Sequence, residues 1–183
     1  MSVDLALLDW RRRVADLYAR LRATGDVDGF RAGRAALFRT HPQSPRVGVE
    51  LRWAPYDPAW RFEDVPVEPA PEVRLGDVEP LVRIGVVRLP FGTLDVWWVD
   101  VYGGGVFVPL RDATAGDTTY GGGRYVLDTA KGADLGGAPG TLTLDLNHAY
   151  HPSCAYDARW TCPLAPPGNV VDVPVDAGEL LPT

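Results

Sequence analysis

Apolar residues recur at spacings of three and four at the head of the chain. Leu7, Trp10, Val14, Leu17 and Leu21 fall on one stripe, which predicts a helix over about residues 3–23, closed by Gly25. Asp26 or Asp28 can cap a second helix carrying Phe30, Leu37 and Phe38. That helix has to stop near His41, because a residue followed by proline avoids the helical region. From Arg46 the period changes to two: Val47, Val49, Leu51 and Trp53 alternate with Gly48, Glu50 and Arg52, as in a strand with one buried face. Further strands are predicted near 82–88, 94–102, 105–110, 124–128, 141–146 and 170–175, separated by Gly, Pro and Asp clusters. The segment Tyr56–Phe62 and the run from Val65 to Pro71 are too rich in proline for a central strand and read as a rim or edge. The expected fold class is mostly β (α+β), an antiparallel β-barrel or sandwich preceded by two N-terminal helices. With 183 residues, 46% of them hydrophobic, the chain suits a single domain, 1–183, with a helical segment at 1–40 and a β domain at 41–183.

Charge narrows the partners. The formal net charge is -6, Lys131 is the sole lysine, and no Lys/Arg stripe interleaved with aromatics runs along the chain, so nucleic acid is not an expected partner. The Arg11–Arg13 cluster falls on an amphipathic helix and reads as a solvated face. No run approaches the roughly 20 apolar residues of a membrane span, and the early charges follow the first apolar residues instead of preceding them. The expectation is a soluble, cytoplasmic protein with no membrane partner. Such a chain does not need a disulfide between its two cysteines, Cys154 and Cys162, to fold.

The candidate chemistry crowds between Arg111 and Asn169. Gly121–Gly123 lead into a strand-like Arg124-Tyr-Val-Leu-Asp segment and not into the Lys-Ser/Thr helix of a phosphate loop, so they read as a hairpin turn. Thr141, Thr143, Asp145 and Asn147 share one strand face, with Leu142, Leu144 and Leu146 on the other. Asp145 and Asn147 then project together, as surface groups or as polar anchors at the mouth of a site. His148, His151, Cys154 and Cys162 have the residue types of a zinc site, although such short consecutive spacings fit a closed site poorly; two buried thiols and two rim histidines are the plainer reading. Cys154 could instead be a nucleophile activated by His151 or His41, with Asp145 orienting that base. Arg111-Asp112 and Arg124 suit a partly buried ion pair or an Arg clamp for a ligand carboxylate or phosphate.

The order of these pieces resembles a bacterial family catalogued as domain of unknown function 1684. The resemblance rests on Phe107-Val-Pro-Leu-Arg-Asp-Ala-Thr-Ala-Gly, Thr119-Tyr-Gly-Gly-Gly-Arg-Tyr, Asp145-Leu-Asn-His-Ala-Tyr-His-Pro-Ser-Cys-Ala-Tyr, Cys162-Pro-Leu-Ala-Pro-Pro-Gly-Asn and Asp176-Ala-Gly-Glu, and spans about residues 40–180. It implies a shared, mostly β domain after N-terminal helices and a common polar cluster of Arg111, Asp112, Tyr120, Arg124, Tyr125, Asp145, Asn147, Tyr150, Cys154, Cys162 and Asn169. Two positions depart from the family pattern: Thr118 stands where an acid is usual, and His151 where Asn is usual. A His-dependent zinc site is therefore not a feature the resemblance implies.

The resulting expectation is a pocket for a small polar or anionic metabolite. Arg111, Asp112, Tyr120, Arg124, Asn147 and Tyr150 would bind it, and His151, Asp145 and Cys154 would carry any catalysis, with His151 as acid/base. No metal is expected; were one present, His148, His151, Cys154 and Cys162 would hold it. The residues specify no cofactor and no oligomeric state. The alternative is a non-catalytic scaffold or interaction module whose polar cluster is structural.

Overall fold

A computed structural model describes residues 3–76 and 80–182. Helix α1 (Val3–Thr24) and helix α2 (Val27–Thr40) form where the three-and-four periodicity places them. The Asp26 carboxylate caps α2 by accepting from the Gly29 amide at 2.9 Å. The buried stripe of α1 is Ala6, Val14, Leu17, Tyr18 and Leu21, whereas Leu7 is 38% exposed, so the stripe is rotated slightly from the expected one. On α2 the buried face is Phe30, Arg34, Leu37 and Phe38, with an arginine inside the apolar stripe.

Among the described residues nine strands follow: β1 (Arg52–Trp53), β2 (Arg61–Pro66), β3 (Arg74–Leu75), β4 (Leu81–Leu89), β5 (Gly92–Val99), β6 (Gly105–Leu110), β7 (Arg124–Asp128), β8 (Thr141–Asp145) and β9 (Glu179–Leu180). Strands β3 to β7 make one five-stranded antiparallel sheet in sequence order, while β2–β8 and β1–β9 are separate antiparallel ribbons. The class is α+β with N-terminal helices. Among the described residues the sheet does not close into a barrel. Its β3 edge is two residues long, and β7 is met beyond the sheet by isolated bridges, Tyr125 with Tyr150 and Asp128 with Ala133. A sandwich of two full sheets is likewise not what the ribbons form.

Of two further expected strands, one is cut to its last two residues and the other is not a strand. Residues 46–51 turn instead of extending: Gly48 has φ +82 and Val47 is 60% exposed, leaving only Arg52–Trp53 to pair with β9. Residues 170–175 run beside 111–113, but their backbone groups go to that segment piecemeal. Val171 donates to the Arg111 carbonyl and Val175 to the Asp112 carboxylate, both near 2.9 Å and 2.8 Å respectively. Strand β5 ends at Val99 and β8 at Asp145, each earlier than the pattern predicts. The proline-rich edge at 56–71 does contain β2, an edge strand with a bulge between Phe62 and Val65.

Helix side chains Val14, Leu17, Leu21, Phe30 and Leu37 pack in one core with Val87, Leu94, Val96, Val108, Leu110, Val126 and Leu144 from the strands and Leu146 just after β8. Pro109, inside β6, has no amide for a ladder bond. The Asn169 side chain bridges the strands there: Nδ2 donates to the carbonyls of Asp95 (2.8 Å) and Pro109 (2.9 Å), and Oδ1 accepts from Trp97 Nε1 (2.7 Å).

Candidate functional site

The seam between the helices and the β half holds a small cavity of about 60 Å³. Its walls are Trp10, Val14 and Tyr18 of α1, Arg34 and Phe38 of α2, Tyr125 of β7, the turn at Lys131, and the segment Tyr150–Ser153. With a water needing ~10–15 Å³ of such space, this accepts a handful of non-hydrogen atoms.

The polar side chains around it are fixed by Glu179, which is fully buried on β9. Its Oε1 accepts from Arg34 Nε at 2.6 Å, and its Oε2 accepts from the His151 amide and the Tyr156 hydroxyl, both at 2.8 Å. Burial raises the Glu179 pKa, but the Arg34 charge and hydrogen bond outweigh it and hold the carboxyl below its ordinary value. The Arg34 guanidinium lies 4.9 Å over Phe38 and 4.7 Å over the Tyr150 ring. Tyr150 donates to Asp128 Oδ2 at 3.3 Å, and Lys131 pairs with the same oxygen at 3.3 Å.

His151 sits with its Nε2 accepting from the Tyr120 amide at 3.2 Å. An amide can only donate, so the neutral ring carries its proton on Nδ1. Burial lowers the His151 pKa to about 4, which keeps the ring neutral near pH 7. Among the described residues that Nδ1–H has no hydrogen-bond partner, and neither has the buried hydroxyl of Tyr18. Burial pushes the Tyr18 phenol up, so it too stays protonated. Two partnerless polar groups therefore line one cavity beside a buried guanidinium.

Of the residues expected from sequence, Tyr125, Tyr150 and His151 line this cavity and Tyr120 stands behind His151. Arg124 and Asp112 lie within the fold. Arg124 is fully buried; its Nη2 donates to Asp112 Oδ1 (3.1 Å) and the Val175 carbonyl (3.0 Å), and its Nη1 to the carbonyls of Ala177 and Glu179. Asp112 also accepts from Thr114 and from the Val175 amide. The pair thus tethers the closing segment that carries Glu179. Gly123 before Arg124 has φ +91, and a Cβ there would lie 2.6 Å from the Leu110 carbonyl oxygen, so only glycine permits this approach. Arg111 is exposed and donates to the Gly121 carbonyl at 2.9 Å.

Asp145, Asn147 and His148 form a second buried cluster. Asp145 Oδ1 accepts from the Asn147 amide (3.0 Å) and Nδ2 (2.8 Å), and Oδ2 faces Arg61 at 3.2 Å and His148 Nε2 at 3.6 Å. Asn147 holds the Asp57 backbone through both halves of its amide, at 2.9 Å and 2.8 Å. Burial lowers the His148 pKa to about 4. Because β8 gives way to a one-turn 3-10 helix at Leu146–His148, Asp145 and Asn147 do not share a strand face; one caps the turn that contains the other. Cys154 and Cys162 neighbour each other and Tyr120, with the Cys154 amide 3.4 Å from Cys162 Sγ and Cys154 Sγ 3.7 Å from the Tyr120 hydroxyl. Among the described residues no three His, Cys, Asp or Glu side chains converge as metal ligands. The histidine and cysteine set considered for zinc is therefore split between these clusters.

Sequence reasoning missed Tyr18, Arg34, Lys131 and Glu179. Arg34 had a readable signal: Phe30, Arg34, Leu37 and Phe38 follow one helical stripe, and a charge on that face has to find a buried partner.

Comparisons with known proteins give a family and a fold. A family model described as protein of unknown function, DUF1684, matches residues 49–180. The solution NMR structure of an uncharacterised protein from Haloarcula marismortui is similar at a TM-score of 0.55 and 29% identity, covering 85% of this chain and 92% of that one. No curated protein matches the chain. No described helix is long and apolar enough to cross a membrane.

Proposed function

From the premise that the chain belongs to the DUF1684 family of proteins of unknown function, we propose that it binds a small polar or anionic ligand in the cavity between its helices and its β half. The observation that carries this reading is the pairing of two partnerless polar groups, the Tyr18 hydroxyl and His151 Nδ1–H, in a cavity also lined by Arg34, Lys131 and Tyr150. His151 Nδ1–H can only donate, Tyr18 can donate, and Arg34 and Lys131 are cations, so the complement is an acceptor such as a carboxylate or carbonyl oxygen. Arg34 and Lys131 are each balanced by an acid, Glu179 and Asp128. Recognition is then by directed hydrogen bonds more than by net charge. A volume of about 60 Å³ admits the polar head of a ligand and leaves its remainder outside.

The role of His151 follows from its hydrogen bonding. Taking up a proton at Nε2 would break the bond from the Tyr120 amide, and Nδ1 already carries one. His151 therefore serves as a donor to bound oxygen, and catalysis by it as acid/base finds no support in this arrangement. The scaffold reading accounts for a different set: Asp112, Arg124, Asn147 and Asn169 are buried, and each hydrogen-bonds the protein's own backbone.

The test is a thermal-shift titration with short carboxylates and inorganic phosphate at fixed ionic strength. At least one carboxylate should raise the melting temperature more than chloride does, by linkage. Tyr18→Phe removes one hydroxyl and should weaken that effect by about 3- to 10-fold in apparent affinity. No anion acting beyond chloride, or an undiminished response in Tyr18→Phe, would overturn the proposal.

A further inference from the structure

We propose that Cys154 and Cys162 form a reversible disulfide by exchange with a small oxidised disulfide, making the pair a redox-modification site adjoining the cavity wall. Both are free thiols of intermediate exposure. Cys154 lies on the one-turn 3-10 helix Ser153–Ala155. The chain then reverses where the Trp160 amide donates to the Asp157 carbonyl at 3.2 Å, and this return brings Cys162 Sγ to 3.4 Å from the Cys154 amide nitrogen. The two thiols also touch side chain to side chain, so rotation about the side-chain bonds is the movement that separates them from the geometry of a disulfide. Half-exposed pairs of this kind belong to the exchangeable class of disulfides more than to the inert structural one.

The exchange balances without any further reactant. One protein thiolate attacks a sulfur of the small disulfide, whose S–S bond breaks; the departing thiolate takes up the proton the protein thiol released. The second protein thiolate then attacks the protein-bound sulfur and expels the second small thiol, protonated in the same way. The protein loses two S–H bonds and gains one S–S bond, while the oxidant is reduced to two thiols. Burial pushes the Cys162 thiol up, which favours Cys154 for the first attack and Cys162 for the second.

The consequence reaches the cavity through Tyr120. In the reduced protein Cys154 Sγ lies 3.7 Å from the Tyr120 hydroxyl, and the amide of the same tyrosine holds His151 Nε2 at 3.2 Å. Oxidation removes the thiol hydrogen from the first contact and redirects the sulfur toward Cys162, so the residue that fixes the His151 ring loses a neighbour. The cysteine chemistry does not depend on a ligand occupying the cavity.

The experiment is to incubate the folded, full-length chain with oxidised glutathione, quench in acid, and measure intact mass and a peptide map. The expected product is about 2 Da lighter than the reduced chain, carries a link between the Cys154 and Cys162 peptides, and reverts with dithiothreitol. Cys162→Ala should stop at a glutathione adduct on Cys154, and Cys162→Ser gives the same readout where the alanine variant does not fold. A wild-type protein that stays reduced, accumulates the glutathione adduct, or links only between chains while folded would overturn the proposal.

Discussion

With its Nε2 accepting from the Tyr120 amide, His151 is held as a neutral donor in a buried site, and that arrangement has a measurable cost in acid. The folded pKa values of His151 and His148 are about 4, against about 6.5 for an unperturbed histidine. Between those values the unfolded chain binds more protons than the folded one, so stability is fully present above about pH 6.5 and falls as the pH drops toward 4. Each histidine contributes at most about 3 kcal/mol to that loss. Urea midpoints measured at pH 7, 5.5 and 4.5 should decline in this order, and His151→Asn should flatten the decline. Glu179, with its carboxyl lowered overall by Arg34, adds a further loss in more acidic solution, as pH falls through its folded pKa. Arg124→Ala makes the opposite point about a charged residue. It strands Asp112, almost completely buried, and should cost about 3–5 kcal/mol in the urea-unfolding free energy; a near-neutral result would show that Arg124 is not a tether.

Elements differ in how plainly the sequence announces them. Both helices, and strands β4, β6 and β7, lie where apolar periodicity puts them, because each buries a face whose pattern depends only on local geometry. The segments at 46–51 and 170–175 alternate just as well but are not strands. Gly48 breaks the first with a positive φ, and the backbone of the second is taken up by Arg111 and Asp112. The second is a choice made by residues far away in sequence. Asn169 is the clearest case, since its amide replaces ladder bonds beside Pro109, a role invisible without knowing which strands flank it. Asn169→Ala leaves two carbonyls and the Trp97 indole without that partner and should lower unfolding free energy by about 2 kcal/mol or more, read from urea melts. Within the site, the motif-rich stretch supplied Tyr125, Tyr150 and His151. Tyr18 stayed hidden because it sits in an amphipathic helical pattern that a core alone would explain, whereas Arg34 was legible as a charge on the apolar stripe of α2; Glu179 stayed hidden because its partners are 145 and 28 residues away.

At the scale of the whole molecule, the cavity exists only where the helices meet the β half. The matched family region, residues 49–180, supplies Tyr125, Lys131, Tyr150 and His151, while Tyr18 and Arg34 come from helices that precede it. Helix packing therefore completes the proposed site, and Glu179 on β9, bonded to Arg34 of α2 and to the His151 amide, ties the two halves together at that point. The most direct measurement is the nitrogen-15 NMR signature of the His151 ring at neutral pH, resolved readily in a chain with 3 histidines, before and after adding a short carboxylate. The account predicts a neutral ring protonated on Nδ1 whose Nδ1–H signal shifts on addition, with about 3- to 10-fold more carboxylate needed for the same shift in Tyr18→Phe. A ring protonated on Nε2, or one that ignores every added carboxylate, would contradict it.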